Sequence, residues 1–199
     1  MKIQKKYQNK KIAIYGMGKT GISAAKIFKK LKAKVYCWDD SKSVRKKVKK
    51  LNFKLNKFWK NQDVMDNIVI SPGIDINSCK INNFLKKNFN KIITDLDIFF
   101  ELNRDTTIIS ITGTNGKSTT AKILHNVLLD QKKDVRLVGN IGNPLLSEKK
   151  INKKTIFVIE ASSYQLDYSR IFRSKYAVIL NITSDHIERH KTLKKYINA

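Results

Sequence analysis

The stretch "TIISITGTNGKSTT", Thr107 to Thr120, joins a short β-branched run to a glycine loop that leads directly into Lys-Ser-Thr. The run predicts a strand over 107–112, and we expect a helix to begin after Gly116. Backbone N–H groups in such a loop can surround phosphate oxygens at the positive end of the helix. The sequence therefore predicts a P-loop at a strand-to-helix junction, which is typical of an α/β fold.

The side chains after the loop have the chemistry that a nucleoside triphosphate requires. Lys117 would reach the β and γ phosphates, and the hydroxyl of Ser118 or Thr119 would face Mg²⁺. The generic P-loop has a glycine where this chain has Ile111, so the loop is a variant of that pattern.

Candidate metal ligands follow two later strands. Glu160 ends the apolar run "TIFVIE" (155–160), and Asp185 and His186 come just after "YAVILNI" (176–182). The carboxyl ends of parallel strands share one edge of a sheet, so these residues and the P-loop are expected at the same edge. Singly, a terminal Glu can also be a helix cap or an ion-pair partner, and a lone His is often structural. His125 is expected on a helix surface, and His190 shows no such placement.

The loop over 113–116 is the second glycine loop of the chain. The first glycine loop, "GMGKTG" (16–21), comes earlier and fits G-x-G-x-x-G. It follows the predicted strand "KIAIY" (11–15) and opens a helix, and Asp39 and Asp40 end the next strand. This arrangement is typical of a site where a pyrophosphate lies at a helix N-terminus. "SPGI" (71–74) follows the third strand and would line the same crevice. A tight turn packed on a helix, and a plain Pro-Gly turn, are the structural alternatives for the two loops.

Strands and helices alternate along the chain, which predicts βαβ units and parallel sheets. Further helices are expected near Ser78 and over 95–102. We predict an N-terminal Rossmann-like parallel-sheet domain, residues 1–95, followed by a P-loop α/β ATPase domain, residues 96–199. The remaining predicted strands are "KVYCW" (34–38), "NIVIS" (67–71), "KIIT" (91–94) and "DVRLV" (134–138).

Composition excludes some classes of protein. With 199 residues and 41% hydrophobic residues, the chain can bury a core. The net charge of +25 comes mostly from lysines scattered over the whole chain, which indicates solvated faces rather than a nucleic-acid groove. Cys37 and Cys79 have no metal-like spacing and suggest a reducing cytosol. No apolar run is long enough for a membrane span. We expect a cytoplasmic, monomeric protein without a nucleic-acid partner.

Several motifs together resemble one family. "TGTNGKSTT", "GNIGNPL", "EASSYQL" and "NITSDH", in this order, are similar to the central ATPase domain of the Mur ligases, which form amide bonds with ATP in peptidoglycan precursor synthesis. "GMGKTGIS", "DD" and "SPGI" resemble the UDP-binding domain of the members that add D-glutamate. The resemblance covers essentially the whole chain.

The resemblance implies a reaction and a set of residues. ATP would phosphorylate the carboxylate of UDP-N-acetylmuramoyl-L-alanine, and the amine of D-glutamate would then displace phosphate, with ATP and Mg²⁺ as cofactors. The implied catalytic residues are Lys117, Glu160 and His186, and the metal ligands are Ser118, Glu160 and His186. The implied ATP-binding residues are Gly113, Thr114, Asn115, Gly116, Lys117, Ser118 and Thr119. The implied substrate-binding residues are Gly18, Lys19, Thr20, Gly21, Asp39, Ser71, Pro72, Gly73 and Asn140.

The chain departs from the family pattern near Ala199. The family has a carbamylated lysine in a Tyr-x-x-Ala-Lys register, where this chain reads "YINA", and it has a C-terminal amino-acid-binding domain. We expect this chain to be an N-terminal part of the enzyme, with the central domain truncated and without ligase activity by itself.

Three other readings stay open from the sequence. A ligase that adds L-alanine to UDP-N-acetylmuramate would prefer the unextended sugar. A nicotinamide-dependent dehydrogenase would explain "GMGKTG" but not the P-loop, and would be stabilised by NAD. A basic nucleic-acid-binding P-loop protein would bind with a steep dependence on salt.

Overall fold

The computed structural model describes residues 2–60 and 64–199. It divides into two compact units, Met1–Ile98 and Phe99–Ala199, and each contains a parallel four-stranded sheet. The α/β fold with two parallel-sheet units is therefore confirmed. The division falls within helix α5 (Asp95–Leu102), close to the domain boundary predicted after residue 95.

The N-terminal unit is built around the strand that precedes the first glycine loop. Its sheet has the order β2-β1-β3-β4, and the buried faces of β1 and β3 supply Ile12, Ile14, Ile68 and Ile70 to the core. Apolar residues on successive positions suit strands that are covered on both faces. Its elements are α1 (Lys2–Tyr7), β1 (Lys11–Tyr15), α2 (Lys19–Lys30), β2 (Lys34–Trp38), α3 (Lys42–Lys50), β3 (Asn67–Ile70), α4 (Asn82–Lys87), a 3₁₀ helix (Phe89–Lys91) and β4 (Ile92–Ile93).

The helix predicted near Ser78 is a turn, and α4 begins only at Asn82. The carboxylate of Asp75 accepts hydrogen bonds from the backbone N–H of Asn77 (2.8 Å) and from the hydroxyl of Ser78 (3.1 Å). Aspartate side chains that bond to nearby backbone groups compete with helix formation. The apolar pattern alone did not reveal this local competition.

Asp66 links the start of β3 to the start of β1. Its carboxylate accepts hydrogen bonds from the backbone N–H of Lys11 (2.8 Å) and from the ammonium of Lys10 (3.0 Å). The Lys11 N–H, together with Lys10 and Lys91, holds the pKa of Asp66 below its usual 3.8 against the opposing effect of burial. A lowered folded-state pKa contributes stability that is present above the unfolded value and is lost as the pH falls through the folded value.

We therefore expect Asp66→Asn to lower the free energy of unfolding at neutral pH, and to differ less from wild type as the pH falls below 3.8. Urea denaturation of both proteins between pH 7 and pH 3 measures this difference. The exposed Asp105 gives a matched control, Asp105→Asn. A difference that grows on acidification would contradict this account of Asp66.

The C-terminal unit has the sheet order β6-β7-β5-β8, all parallel. The central strands β5 and β7 pair from Thr107 opposite Ile156 to Ile111 opposite Glu160, and α6 packs over them through the buried Ala121. Its elements are β5 (Thr107–Thr112), α6 (Lys117–Asp130), β6 (Val135–Gly139), a 3₁₀ helix (Leu145–Ser147), β7 (Ile156–Glu160), α7 (Ser163–Leu166), β8 (Tyr176–Ile179), α8 (Ile187–His190) and α9 (Leu193–Ile197).

Strand β8 is shorter than predicted, because it ends at Ile179 rather than at residue 182. After it, the backbone follows the glycine loop instead of continuing a strand. Leu180 donates its N–H to Thr112 O (3.0 Å), and Asn181 O accepts the N–H of Thr114 (2.9 Å). The segment thus stays hydrogen-bonded to the loop that follows β5.

Within residues 2–60 and 64–199, no helix combines the length and the hydropathy needed to cross a bilayer.

Candidate functional site

The second glycine loop occupies the turn between β5 and α6, as the sequence predicts. Gly113 (φ +136°) and Gly116 (φ +85°) have left-handed backbone conformations that other residues rarely adopt. A Cβ atom at Gly113 would lie 3.0 Å from Asn181 O, so the loop also requires a close approach of two backbones. Both glycines are therefore needed for the shape of the turn.

Lys117 is the first residue of α6, and its ammonium lies against the loop. Nζ donates to the carbonyl oxygens of Gly113 and Thr114, each at 2.6 Å. The positive charge is thus placed beside the start of a helix, where backbone N–H groups without intrahelical partners already favour anions. This arrangement suits the phosphate groups of a nucleotide.

Glu160 lies at the carboxyl end of β7 and is the centre of a polar cluster. It is only 1% exposed. Ser118 Oγ donates to Oε2 (2.8 Å), and Asn140 Nδ2 donates to Oε1 (3.0 Å). The cluster joins the first turn of α6, the end of β7 and the loop after β6, which are all at the carboxyl edge of the sheet.

Gly139 determines how the loop after β6 reaches Glu160. Its φ is +110°, and a Cβ there would lie 2.4 Å from Glu160 O. The backbone N–H of Asn140 donates to that same oxygen at 3.0 Å. This close approach places the Asn140 carboxamide on the Glu160 carboxylate.

The Glu160 carboxylate has neutral hydrogen-bond partners instead of a cation. In the part of the chain that the structure describes, no basic side chain forms an ion pair with it. A buried carboxylate is costly without a positive charge nearby. Carboxylate and hydroxyl oxygens are the donors that Mg²⁺ prefers, so Glu160 and Ser118 fit a magnesium ion.

Across residues 2–60 and 64–199, no hydrogen bond or ion pair joins His186 to this cluster. Its ring lies 3.6 Å from Asp185 Oδ2 and 3.8 Å from Glu188 Oε1, and it packs on Tyr164 with a centroid distance of 4.9 Å. Among the described residues, no three His, Cys, Asp or Glu side chains are close enough together to bind a metal ion. The prediction that His186 completes a metal site with Ser118 and Glu160 stays a prediction, although the three follow neighbouring parallel strands as expected.

The second glycine loop also has contacts that the sequence did not predict. The hydroxyls of Thr114 and Tyr196 share a hydrogen bond (3.0 Å), and the Tyr196 ring packs on His190 with a centroid distance of 5.2 Å. His190 Nε2 lies 3.0 Å from Ser163 Oγ, and burial lowers the pKa of His190. These residues link the P-loop to the "EASSYQL" segment, and only their proximity in space reveals this. His125, in contrast, lies on α6 beside Asn126, as predicted.

The first glycine loop is supported by the end of β3. Gly16 has a φ of +88°, and its carbonyl oxygen accepts a hydrogen bond from Ser71 Oγ (2.8 Å). A Cβ at Gly21 would lie 2.0 Å from the same carbonyl oxygen, whereas a Cβ at Gly18 would meet nothing within 4 Å. Gly16 and Gly21 are thus required by packing, and Gly18 leaves open space at the start of α2.

Asp39 binds the backbone of this loop and that of the turn that leads into α3. Its Oδ2 accepts the N–H of Met17 (2.7 Å), and its Oδ1 accepts the N–H of Ser41 (2.8 Å). The adjacent Asp40 accepts hydrogen bonds from Tyr15 Oη (2.6 Å) and Trp38 Nε1 (3.3 Å). Asp39 therefore supports the loop, and its predicted contact with a substrate stays a prediction.

The other predicted substrate-binding residues surround the same turn. Gly18 is the N-cap of α2, Lys19 and Thr20 begin that helix, and Pro72 and Gly73 follow Ser71 after β3. Gly18, Lys19 and Gly73 are exposed. The carboxyl ends of β1 and β3 thus present a helix start and a turn at one edge of the sheet, where ligands bind in open parallel sheets.

Comparisons with known proteins give a matching family model for each of the two units. Residues 10–93 match the family model of the Mur ligase MurD-like N-terminal domain, and residues 111–199 match that of the Mur ligase middle domain. Among curated relatives, the chain is 40% identical to the UDP-N-acetylmuramoylalanine--D-glutamate ligase of Rickettsia bellii, over 97% of this chain and 43% of that protein. It is 36% identical to the enzyme of the same name from Clostridioides difficile, over 96% of this chain and 44% of that protein. The chain thus spans less than half the length of these relatives.

Two solved structures share the fold. The UDP-N-acetylmuramate:L-alanyl-gamma-D-glutamyl-meso-diaminopimelate ligase of Neisseria meningitides superposes with a TM-score of 0.56 and 19% identity, over 95% of this chain and 65% of that one. The UDP-N-acetylmuramate-alanine ligase of Thermotoga maritima gives a TM-score of 0.54 and 20% identity, over 94% of this chain and 45% of that one. These two structures show the shared fold alone. The two matching domain models, over residues 10–93 and 111–199, show that the chain belongs to the Mur ligase family.

Proposed function

We propose that this chain forms the nucleotide-binding part of an ATP-dependent, ADP-forming ligase that joins D-glutamate to UDP-N-acetylmuramoyl-L-alanine in cytoplasmic peptidoglycan synthesis, as a monomer. The names of the curated relatives support this choice. The observation that carries it is the buried Glu160 carboxylate, bonded to Ser118 at the start of the P-loop helix and to Asn140.

The C-terminal unit would bind ATP. The N–H groups at the start of α6 and the Lys117 ammonium would surround the β and γ phosphates. When phosphate arrives, Lys117 would exchange its bonds to Gly113 O and Thr114 O for charged phosphate oxygens. Its charge would then stabilise the negative charge on the transferred phosphoryl group.

Magnesium would bind at Ser118 and Glu160, with His186 as the further ligand that the family resemblance implies. The ion would supply a positive charge that neutralises the phosphate oxygens. Asn140 would orient the Glu160 carboxylate through Oε1, which leaves Oε2 and the Ser118 hydroxyl for the ion.

The N-terminal unit would bind the UDP group of the sugar substrate. The start of α2, Gly18 to Gly21, would face the pyrophosphate, and Ser71 to Gly73 would lie beside it. The γ-phosphoryl group of ATP would pass to the alanyl carboxylate, which gives an acyl phosphate and ADP. The amine of D-glutamate would attack the acyl carbon, and phosphate would leave. The chain's contribution is alignment and charge neutralisation rather than covalent chemistry.

A binding comparison tests this choice of substrate. We expect the 199-residue chain to bind UDP-N-acetylmuramoyl-L-alanine about tenfold more tightly than UDP-N-acetylmuramic acid, because binding of the alanyl group adds contacts worth about 1.4 kcal/mol. Isothermal titration calorimetry measures both affinities, with NAD as a control ligand. A preference for the unextended sugar would favour the L-alanine-adding ligase instead, and binding of NAD alone would favour a dehydrogenase.

A further inference from the structure

Asn181 makes an unusual pair of contacts with the second glycine loop. Its Oδ1 accepts the N–H of Asn115 (2.9 Å), and its Nδ2 donates to Asn115 O (3.0 Å). One carboxamide thus satisfies both backbone groups of a single loop residue, as a neighbouring strand does in a sheet. Both asparagines are exposed, so burial does not explain the pairing.

The backbone of the same segment continues the pairing between β5 and β8. Thr114 donates its N–H to Asn181 O (2.9 Å), and Thr183 donates its N–H to Thr114 Oγ1 (2.9 Å). Gly113 lets the two backbones approach closely. The loop from Gly113 to Asn115 is therefore docked along residues 181–183.

This docking determines which N–H groups can meet a phosphate. The backbone N–H groups of Thr114 and Asn115 already donate hydrogen bonds to Asn181, so they are not available to a phosphate. The first N–H groups of a helix have no intrahelical partner, so those at the start of α6, from Lys117 onwards, are left for phosphate oxygens. The prediction that Thr114 and Asn115 bind ATP stays a prediction, and their backbone N–H groups already donate to Asn181.

We propose that Asn181 is a positioning residue of the ATP site. Its carboxamide holds the backbone N–H and C=O of Asn115, and this fixes the loop so that the start of α6 and Lys117 face the phosphates. This inference rests on the proposed ATP binding of the C-terminal unit. Asn181 acts through the loop and does not itself contact the nucleotide.

The test compares Asn181→Ala and Asn181→Asp with wild type and with Asn126→Ala, which removes an exposed carboxamide from the outer surface of α6. We expect Asn181→Ala to bind a non-hydrolysable ATP analogue with Mg²⁺ about tenfold more weakly, because two hydrogen bonds no longer hold the loop. Asn181→Asp keeps an acceptor but loses the donor and places a negative charge near the phosphates, so its affinity should fall at least as far. Asn126→Ala should bind as wild type does.

A second measurement, made without nucleotide, separates positioning from general destabilisation. Amide hydrogen exchange followed by NMR should become at least tenfold faster at Asn115 in Asn181→Ala, whereas amides in β5 and β7 should exchange as in wild type. Unchanged exchange at Asn115, or an unchanged affinity for the ATP analogue in both variants, would overturn the proposal. A wild-type chain that does not bind the analogue would overturn the proposed function instead, and exchange at Asn115 would still decide whether Asn181 positions the loop.

Discussion

Lys117→Ala is expected to weaken binding of a non-hydrolysable ATP analogue about 100-fold. Hydrogen bonds to a charged group contribute about 1.5–3 kcal/mol, and 1.4 kcal/mol corresponds to a factor of ten in affinity. The substitution removes the ammonium that lies over the loop at 2.6 Å from two carbonyl oxygens. Those carbonyls are then left without their donor, so the loop also becomes less ordered.

Lys122→Ala is the matched control for this substitution. Lys122 is an exposed residue of the same helix, α6, and its replacement changes the net charge by the same amount. Calorimetric titration with Mg²⁺ and the ATP analogue should give wild-type affinity for Lys122→Ala. Equal losses in both variants would mean that the general positive charge of the chain attracts the nucleotide, and would contradict a specific role of Lys117.

Gly21→Ala is expected to destabilise the N-terminal unit by about 3 kcal/mol, because a methyl group is forced into a packed contact. The added Cβ would lie 2.0 Å from Gly16 O, a backbone atom in the first glycine loop that also accepts the Ser71 hydroxyl. Either α2 moves away from the sheet or the loop changes shape. We therefore expect the affinity for UDP-sugars to fall together with the stability.

Gly18→Ala is the control for Gly21→Ala, because it adds a methyl group to the same loop without the close contact at Gly16 O. Its Cβ would meet nothing within 4 Å, and its φ of −68° is accessible to alanine. The loss of stability should stay below about 1 kcal/mol, the usual effect of a poorer N-cap residue. Urea denaturation followed by far-UV circular dichroism measures both variants. If Gly18→Ala destabilised the unit as much as Gly21→Ala, the close approach at Gly16 would not be the cause.

The strand-to-helix glycine loops were predictable because their signals are local. In "TIISITGTNGKSTT" and "KIAIYGMGKTG", a β-branched run, glycines and a helical segment follow one another directly in the chain. The structure confirms a strand and then a helix at both places. The end of β8 was not predictable, because Leu180 and Ile182 continue its apolar pattern on either side of Asn181, whereas the backbone of Leu180 and Asn181 binds the end of β5 and the loop after it.

For the candidate site too, individual residues were predictable from the sequence, whereas the contacts between them were not. Glu160 could be found from sequence because an acid at the end of an apolar strand is unusual, and Lys117 and Ser118 because they follow the glycines directly. The bonds from Ser118 and Asn140 to Glu160 join residues that are distant in sequence. The links from Thr114 to Tyr196 and from Ser163 to His190 also join residues that are distant in sequence.

The sequence by itself determined the α/β class, the two glycine loops and the family resemblance, because each depends on the order of neighbouring residues. Only the tertiary structure decided that Asn181 engages the P-loop backbone, that Asp39 binds the amides of Met17 and Ser41, and that neutral donors surround Glu160. Hydrogen bonds of this kind depend on which strand ends become neighbours. The sheet order β6-β7-β5-β8 fixes those neighbours, and no local pattern in the chain specifies that order.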